Sequence, residues 1–296
     1  MKYYISIITI LYSISFYSQE QQTTLYGAVT YDHIIKSDER KEYRVSITLP
    51  PGFSPKLSYE TLYYLDSWGL KELVCGTYAL ANLSDYVKSI ILVGISTNGD
   101  EYDHYVQRAL DYTPSPFHTE LNNGMIIQLN SRNGQSFSID SLNTGGAKKF
   151  INFLETKVFS LVKEKYPNVS EVKGLIGHSL GGLFGVYVTN KRPDIFKNLI
   201  IISPSMWWNN KELFNDEFDK NYKSISTEIK MYTAIGSNED KRLIKEPFSK
   251  LSNILSSIEN TNFSYKVKSY EGQNHNSVLL QSIFDGLIYL YGFNNN

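Results

Sequence analysis

The sequence predicts an α/β fold, a mostly parallel sheet with an antiparallel hairpin at its N-terminal end and helices on both faces. Three observations carry this. Residues 89–95 and 198–202 are short, nearly all-apolar runs, as expected for central strands covered on both faces. Strand-like and helix-like stretches alternate through most of the chain, the pattern that lays helices over a parallel sheet. Finally, the hexapeptide Gly177-His178-Ser179-Leu180-Gly181-Gly182 sits between a strand-like run, 171–176, and an apolar helix-like run, 183–189.

In chain order, residues 43–49 alternate apolar and polar and stop at Pro50-Pro51-Gly52, a strand followed by a turn. A strand around 31–35 is placed to pair with it. Residues 60–65 form the third strand and 70–83 a helix. Residues 147–165 carry Phe150, Ile151, Phe153, Leu154, Val158, Phe159 and Leu161 at a spacing that buries one helix face. Strands follow at 229–235 and 263–269, and helices at 248–258 and 278–291. Residues 112–146 break the rhythm. They hold several Asn and Ser and a Gly pair, and Met125-Ile126-Ile127 is their one apolar run, so a functional lid or a disordered insert is expected at 115–144, on the edge where such sheets bind ligands.

Composition narrows the function. The 296 residues carry 29 Lys and Arg against 30 Asp and Glu, a net charge of −1 with no long run of one sign. No basic face for nucleic acid is visible. The single cysteine, Cys75, permits no intrachain disulfide and no cysteine-rich metal site, and its apolar neighbours mark it as a buried small hydrophobe. Residues 1–18 start with Met1-Lys2 and then stay apolar apart from serines and tyrosines. That composition predicts a secretory signal peptide cleaved near Ser18, ahead of one domain at 19–296. Such a run is short for a spanning helix, which needs about 20 apolar residues. No cysteine follows it to take a lipid, so the expected product is periplasmic or secreted, with no stable membrane anchor.

A Gly-x-Ser-x-Gly between a strand and a helix is the nucleophile elbow of the α/β-hydrolases, a sharp turn that lifts the Ser oxygen above the sheet. The flanking glycines are expected where side chains would strike neighbouring backbone. A serine nucleophile needs a base, an orienting acid and an oxyanion hole, and in this fold the order is Ser, acid, His. Of the five histidines, His33, His104 and His118 precede the elbow, and His178 adjoins the nucleophile and points elsewhere on the turn. His275 remains, on a loop between the last strand and the last helix. The acid should follow the strand 229–235, where Glu239 and Asp240 stand; Glu239 is preferred, with Asp240 the alternative and a helix N-terminal role open to either. The backbone N–H of Leu180 is one expected oxyanion donor, and that of Trp68, favoured over Ser67, the second. Trp207 and Trp208 follow the strand after the elbow and, with Arg108 and His178, are the candidates for contacting substrate.

These residues also resemble a known family. The chain is similar to the putative-esterase (esterase D-like) family of α/β-hydrolases, most of all its ferric-siderophore esterase branch. Tyr64-Leu65-Asp66 resembles the family's Leu-Asp-Gly loop, with Ser67 in place of the usual Gly. Val93-Gly94-Ile95 with Arg108 and Asp111-Tyr112-Thr113-Pro114 resembles another signature, and Gly145-Gly146-Ala147 with Phe150 the start of the helix before the elbow. Gly177 to Gly182 and Ser203-Pro204-Ser205-Met206-Trp207-Trp208 resemble its most specific motifs. Gly236 with Glu239, and Gly272 with His275 and Ser277, fall where the family keeps its acid and base.

The resemblance implies a serine hydrolase acting on a small-molecule ester, of siderophore, aromatic or acetyl type, without metal or cofactor. The alternatives are acyl transfer by the same residues and a non-catalytic ligand-binding protein. Against an anionic substrate, Arg108, Arg132, Lys241 and Arg242 are candidates for a cationic rim, and Arg108 could instead pair with Asp111.

Overall fold

The computed structural model describes residues 21–23, 27–39 and 41–293; the expected signal peptide lies outside them. A nine-stranded sheet runs through the molecule. Strands β1 (Gln21–Thr23), β2 (Val29–Lys36) and β3 (Glu42–Leu49) form its antiparallel end. Next in the chain come β4 (Tyr59–Tyr64), helix α1 (Ser67–Leu83), β5 (Ile91–Thr97) and helix α2 (Glu101–Asp111). Two short strands, β6 (Ile127–Asn130) and β7 (Ser136–Ile139), pair as a separate hairpin. Helices α3 (Ala147–Phe153) and α4 (Phe159–Lys165) are joined by a π turn at Leu154–Val158. Strand β8 (Val169–His178), helix α5 (Leu180–Lys191) and strand β9 (Asn198–Ile202) follow. The chain continues with short helices α6 (Trp208–Lys211) and α7 (Phe218–Lys223), then β10 (Ile229–Gly236), α8 (Glu246–Ser256), β11 (Phe263–Tyr270) and α9 (Val278–Tyr291).

In the large sheet the strand order is β1-β2-β3-β5-β4-β8-β9-β10-β11. The first three pairings are antiparallel and the five from β5 to β11 parallel. The alternation of strand side chains divides the core in two. Tyr63, Val93, Leu175, Leu199 and Ile201 pack with Phe150, Val158, Leu183 and Phe184 on one face. Leu62, Leu92, Ile176, Ile200 and Ile202 pack with Tyr78 of α1 and Ile283 and Leu287 of α9 on the other. This is the expected mixed sheet with both faces covered.

Three differences from the sequence reading have local causes. Helix α2 was not anticipated; Asp100 caps it, accepting the Asp103 N–H while the Asp103 carboxylate accepts the Asp100 N–H. The long helix at 147–165 carries the π turn in its middle. And the stretch read as a loop at 115–144 contains the β6–β7 hairpin, whose four-residue strands are too short for alternation to announce them. Cys75 is buried against the Thr48 and Tyr64 hydroxyls, as its apolar neighbours suggested. Among the described residues no helix is long and apolar enough to cross a membrane.

Candidate active site

The parallel strands β8, β9, β10 and β11 end along one sheet edge, and the loops beyond them converge on Ser179. Ser179 occupies the turn between β8 and α5 with φ 58° and ψ −116°, a region costly for a residue with a Cβ. Backbone bonds hold it there. Its N–H donates to the Ile202 carbonyl at 3.0 Å, and its own carbonyl accepts from Leu183 at 2.9 Å and Ser205 at 3.0 Å. Of the two glycines flanking the serine, only Gly177 meets backbone closely. A Cβ on Gly177 would lie 2.1 Å from the Gly181 carbonyl oxygen, whereas one on Gly181 would meet nothing nearer than 3.5 Å. The second tight approach is at Gly182, 2.9 Å from Pro204 Cα.

His275 is carried on the loop after β11. Asn274 Oδ1 accepts the Asn276 and Ser277 N–H groups, and Ser277 Oγ accepts the Asn274 N–H, so the loop is fixed around the imidazole. Its Nδ1 lies 2.6 Å from Oε2 of Glu239, a buried carboxylate beyond the end of β10. The other oxygen, Oε1, accepts from the Gly236 N–H at 2.9 Å and from the Ser203 hydroxyl. Burial pushes the Glu239 pKa up, but the bonds from His275, Ser203 and Gly236 outweigh it and hold the carboxyl below its ordinary value. Asp240 turns away. Its Oδ1 accepts the Arg242 and Leu243 N–H groups at 2.8 and 2.7 Å, so it is the helix-capping member of the pair.

Ser179, His275 and Glu239 line one cavity of about 310 Å³ with Arg108, Leu180, Ser205 and Trp207. Ile127, Leu129 and Ile139 of the hairpin, with Leu243 and Ile244, make it chiefly apolar. A more polar groove of about 470 Å³ shares Trp207, Asp240 and Leu243 with it.

The remaining expected site residues divide. Leu180 opens α5 and faces the cavity. Trp68 lies in the first turn of α1, where an N–H has no carbonyl four residues back to bond. Its indole is partly exposed and stacks on His104, with ring centroids 5.3 Å apart. Trp207 forms part of the cavity wall. Trp208 does not: it is buried in the core and its indole N–H donates to the Ser115 carbonyl, because consecutive residues at this turn point in different directions.

Arg108 does reach the cavity but does not pair with Asp111. Its guanidinium grips Asp66 twice, Nε to Oδ1 at 2.9 Å and Nη2 to Oδ2 at 3.1 Å. Burial alone would raise the Asp66 pKa; the charge and hydrogen bonds of Arg108 reverse that and lower it. Of the other expected rim cations, Arg242 lines the adjoining groove with Lys211, Lys241 is exposed, and Arg132 reaches toward Glu101. His178 is buried away from the cavity lining, with Nε2 2.8 Å from the His275 carbonyl oxygen. Burial, with the charges of His275 and Arg108, pushes its pKa down to about 3 despite the opposing pull of Asp66.

Two serines escaped the sequence reading although both lie in the quoted Ser-Pro-Ser motif. Ser203 holds Glu239, and Ser205 Oγ lies 3.3 Å from Ser179 Oγ. Among the described residues no cluster of three or more His, Cys, Asp or Glu side chains could hold a metal ion.

Known proteins share this arrangement of chain. A siderophore triacetylfusarinine C esterase of Aspergillus fumigatus is 42% identical over 66 residues, 22% of this chain and 23% of its own. The ferri-bacillibactin esterase of Bacillus subtilis is 29% identical over 139 residues, 46% of this chain and 48% of its own. An apo-salmochelin esterase of Escherichia coli is 29% identical over 184 residues, covering 61% and 51%. The chain thus spans from about a quarter to about half the length of these relatives. The crystal structure of the BES protein from Bacillus cereus superimposes with a TM-score of 0.76 at 24% identity, covering 93% of this chain and 99% of that one, which establishes the likeness of fold. The model of the family described as "Putative esterase" matches residues 38–290, which takes in the whole sheet from β3 onward and all three residues of the Ser-His-Glu set, and to that family the chain belongs.

Proposed function

We propose that the protein is a serine hydrolase that cleaves a carboxylic ester through an acyl-enzyme. The observation that carries this is a buried carboxylate, Glu239, 2.6 Å from the imidazole of His275 in the same cavity as a serine on a strained turn. Glu239 accepts the Nδ1 proton of His275, which leaves Nε2 as the base. Ser179 Oγ attacks the ester carbonyl carbon and its proton passes to His275. The resulting oxyanion is held by the Leu180 N–H and, as the second donor, the Trp68 N–H. His275 then protonates the departing alcohol, and Ser179 keeps the acyl group. A water that gives its proton to His275 attacks the acyl-enzyme, releases the acid and restores the serine.

The apolar cavity suits an aromatic or short aliphatic acyl group, and the adjoining groove leaves room for a larger alcohol. Relatives named as siderophore esterases favour a siderophore ester, with aromatic and acetyl esters as simpler members of the same class. Export to the periplasm or medium after cleavage near Ser18 belongs to this reading, on the composition of residues 1–18.

A panel of p-nitrophenyl esters with acetyl, butyryl and benzoyl groups tests the activity. Wild type should release p-nitrophenol with a burst, whereas Ser179→Ala and His275→Ala should fall to the buffer rate. Equal rates in wild type and Ser179→Ala would remove Ser179 from the chemistry. Excess methanol in the assay separates hydrolysis from transfer, which would yield methyl ester in place of acid.

A further inference from the structure

The mechanism above leaves His178 without a task, although it sits beside the nucleophile and is 8% exposed. It does not border the cavity. Its ring lies next to that of His275, with centroids 4.6 Å apart and planes tilted by 43°, and its Nε2 is 2.8 Å from the His275 backbone carbonyl oxygen. A carbonyl can only accept, so Nε2 carries the proton and donates. The low pKa of His178 keeps the ring neutral across ordinary working pH.

The other bonds of the base loop lead elsewhere. Asn274 and Ser277 close the loop on itself. The Asn238 N–H donates to the Gln273 carbonyl, and the Gly272 N–H to Ser237 Oγ, which tie the loop to the end of β10. Among the described residues, the His178 bond is the one hydrogen bond between this loop and the turn that bears Ser179.

We infer that His178 is a positioning residue: its Nε2–H fixes the backbone of His275 relative to the nucleophile one peptide bond away. The inference rests on the proposed roles of Ser179 and His275. Glu239 restrains the imidazole at Nδ1 alone, which leaves the ring free to swing about that contact; the anchored carbonyl supplies a second point and so sets where Nε2 points. Displacement of a catalytic group by about 1 Å costs on the order of 10²-fold in rate.

His178→Phe keeps an aromatic ring, slightly larger, and removes the donor, whereas His178→Gln returns an amide N–H near the place of Nε2. In the Phe variant kcat for p-nitrophenyl butyrate should fall roughly 10- to 100-fold with little change in KM, and Gln should restore most of it. The low-field NMR signal of the His275 Nδ1 proton should be sharp in wild type and Gln and broadened in Phe, which a loss of general packing with the base still anchored would not produce. If Phe does not fold, His178→Asn takes its place, with an amide too short to reach the carbonyl and the same expectations. A Phe or Asn variant with wild-type kcat and an unchanged low-field proton would overturn the inference, as would equal losses in Phe and Gln. The NMR signal needs no turnover, so a wild type inactive on every ester would sink the hydrolase reading while the His178 bond was still being measured.

Discussion

Glu239 beyond the end of β10 and Asp111 at the end of α2 are both buried carboxylates, yet their chemistry diverges. Glu239 receives bonds from His275, Ser203 and Gly236 and stays below its ordinary pKa. Asp111 accepts from the Tyr43 hydroxyl at 2.9 Å, and burial dominates, pushing its pKa up to about 7. Desolvation acts on both. Asp111 is the more deeply desolvated of the two and has fewer donors, and a carboxylate with enough donors can orient a base at neutral pH. Asp66 is a third case, buried but lowered chiefly by Arg108, with His104 and His178 adding to it.

The largest expected effect comes from stripping charge off the well-served carboxylate. Glu239→Gln should lower kcat by roughly 10²- to 10⁴-fold, because the imidazole loses its orienting acceptor and its stabilising charge. Steady-state kinetics on p-nitrophenyl butyrate measure it. Wild-type kcat in this variant would mean that Asp240 or a water serves instead.

Arg108→Ala should turn Asp66 into a worse-placed Asp111. Removing one partner of a buried pair typically costs about 3–5 kcal/mol, and urea unfolding near pH 7 reads it. The loss should shrink on acidification, as the stranded Asp66 protonates.

Asp111→Asn tests the other side of the comparison. The folded pKa of Asp111 is raised above its ordinary 3.8, so the native state holds its proton more tightly than the unfolded chain does. Its contribution is therefore fully present below about pH 4 and is lost as pH rises toward 7. Asn keeps a neutral acceptor for Tyr43, so the variant should match wild type at pH 4 and exceed it at pH 8 by roughly 2–4 kcal/mol. A stability difference independent of pH would show that Asp111 is not held protonated. The smallest effect belongs to Asp240→Ala, which should cost about 1 kcal/mol of stability as a lost cap and leave kcat within a few-fold of wild type.

How much of this was legible depended on how local each cause is. The elbow could be read because a serine on a tight turn needs small neighbours within a few positions, although Gly182 rather than Gly181 meets the nearer backbone. Chain order and the few histidines available point to His275 and Glu239, whose Nδ1 and Oε2 lie 2.6 Å apart. Glu239 and Asp240 could not be separated by spacing, since adjacent carboxylates at a strand end face opposite ways, one toward the base and one back onto its own helix. Trp207 and Trp208 divide in the same way, one on the cavity wall and one in the core. The partner of Arg108 depends on where α2 packs, 42 residues from Asp66, and no local pattern encodes that. The hairpin that roofs the cavity was hidden because its strands are short and half polar.

The most direct test of the account is covalent. Incubated with a fluorophosphonate and digested, the protein should carry one adduct, on the peptide bearing Ser179. Labelling should vanish in Ser179→Ala and slow sharply in Glu239→Gln. An adduct on another residue, or equal labelling of Ser179→Ala and wild type, would contradict it.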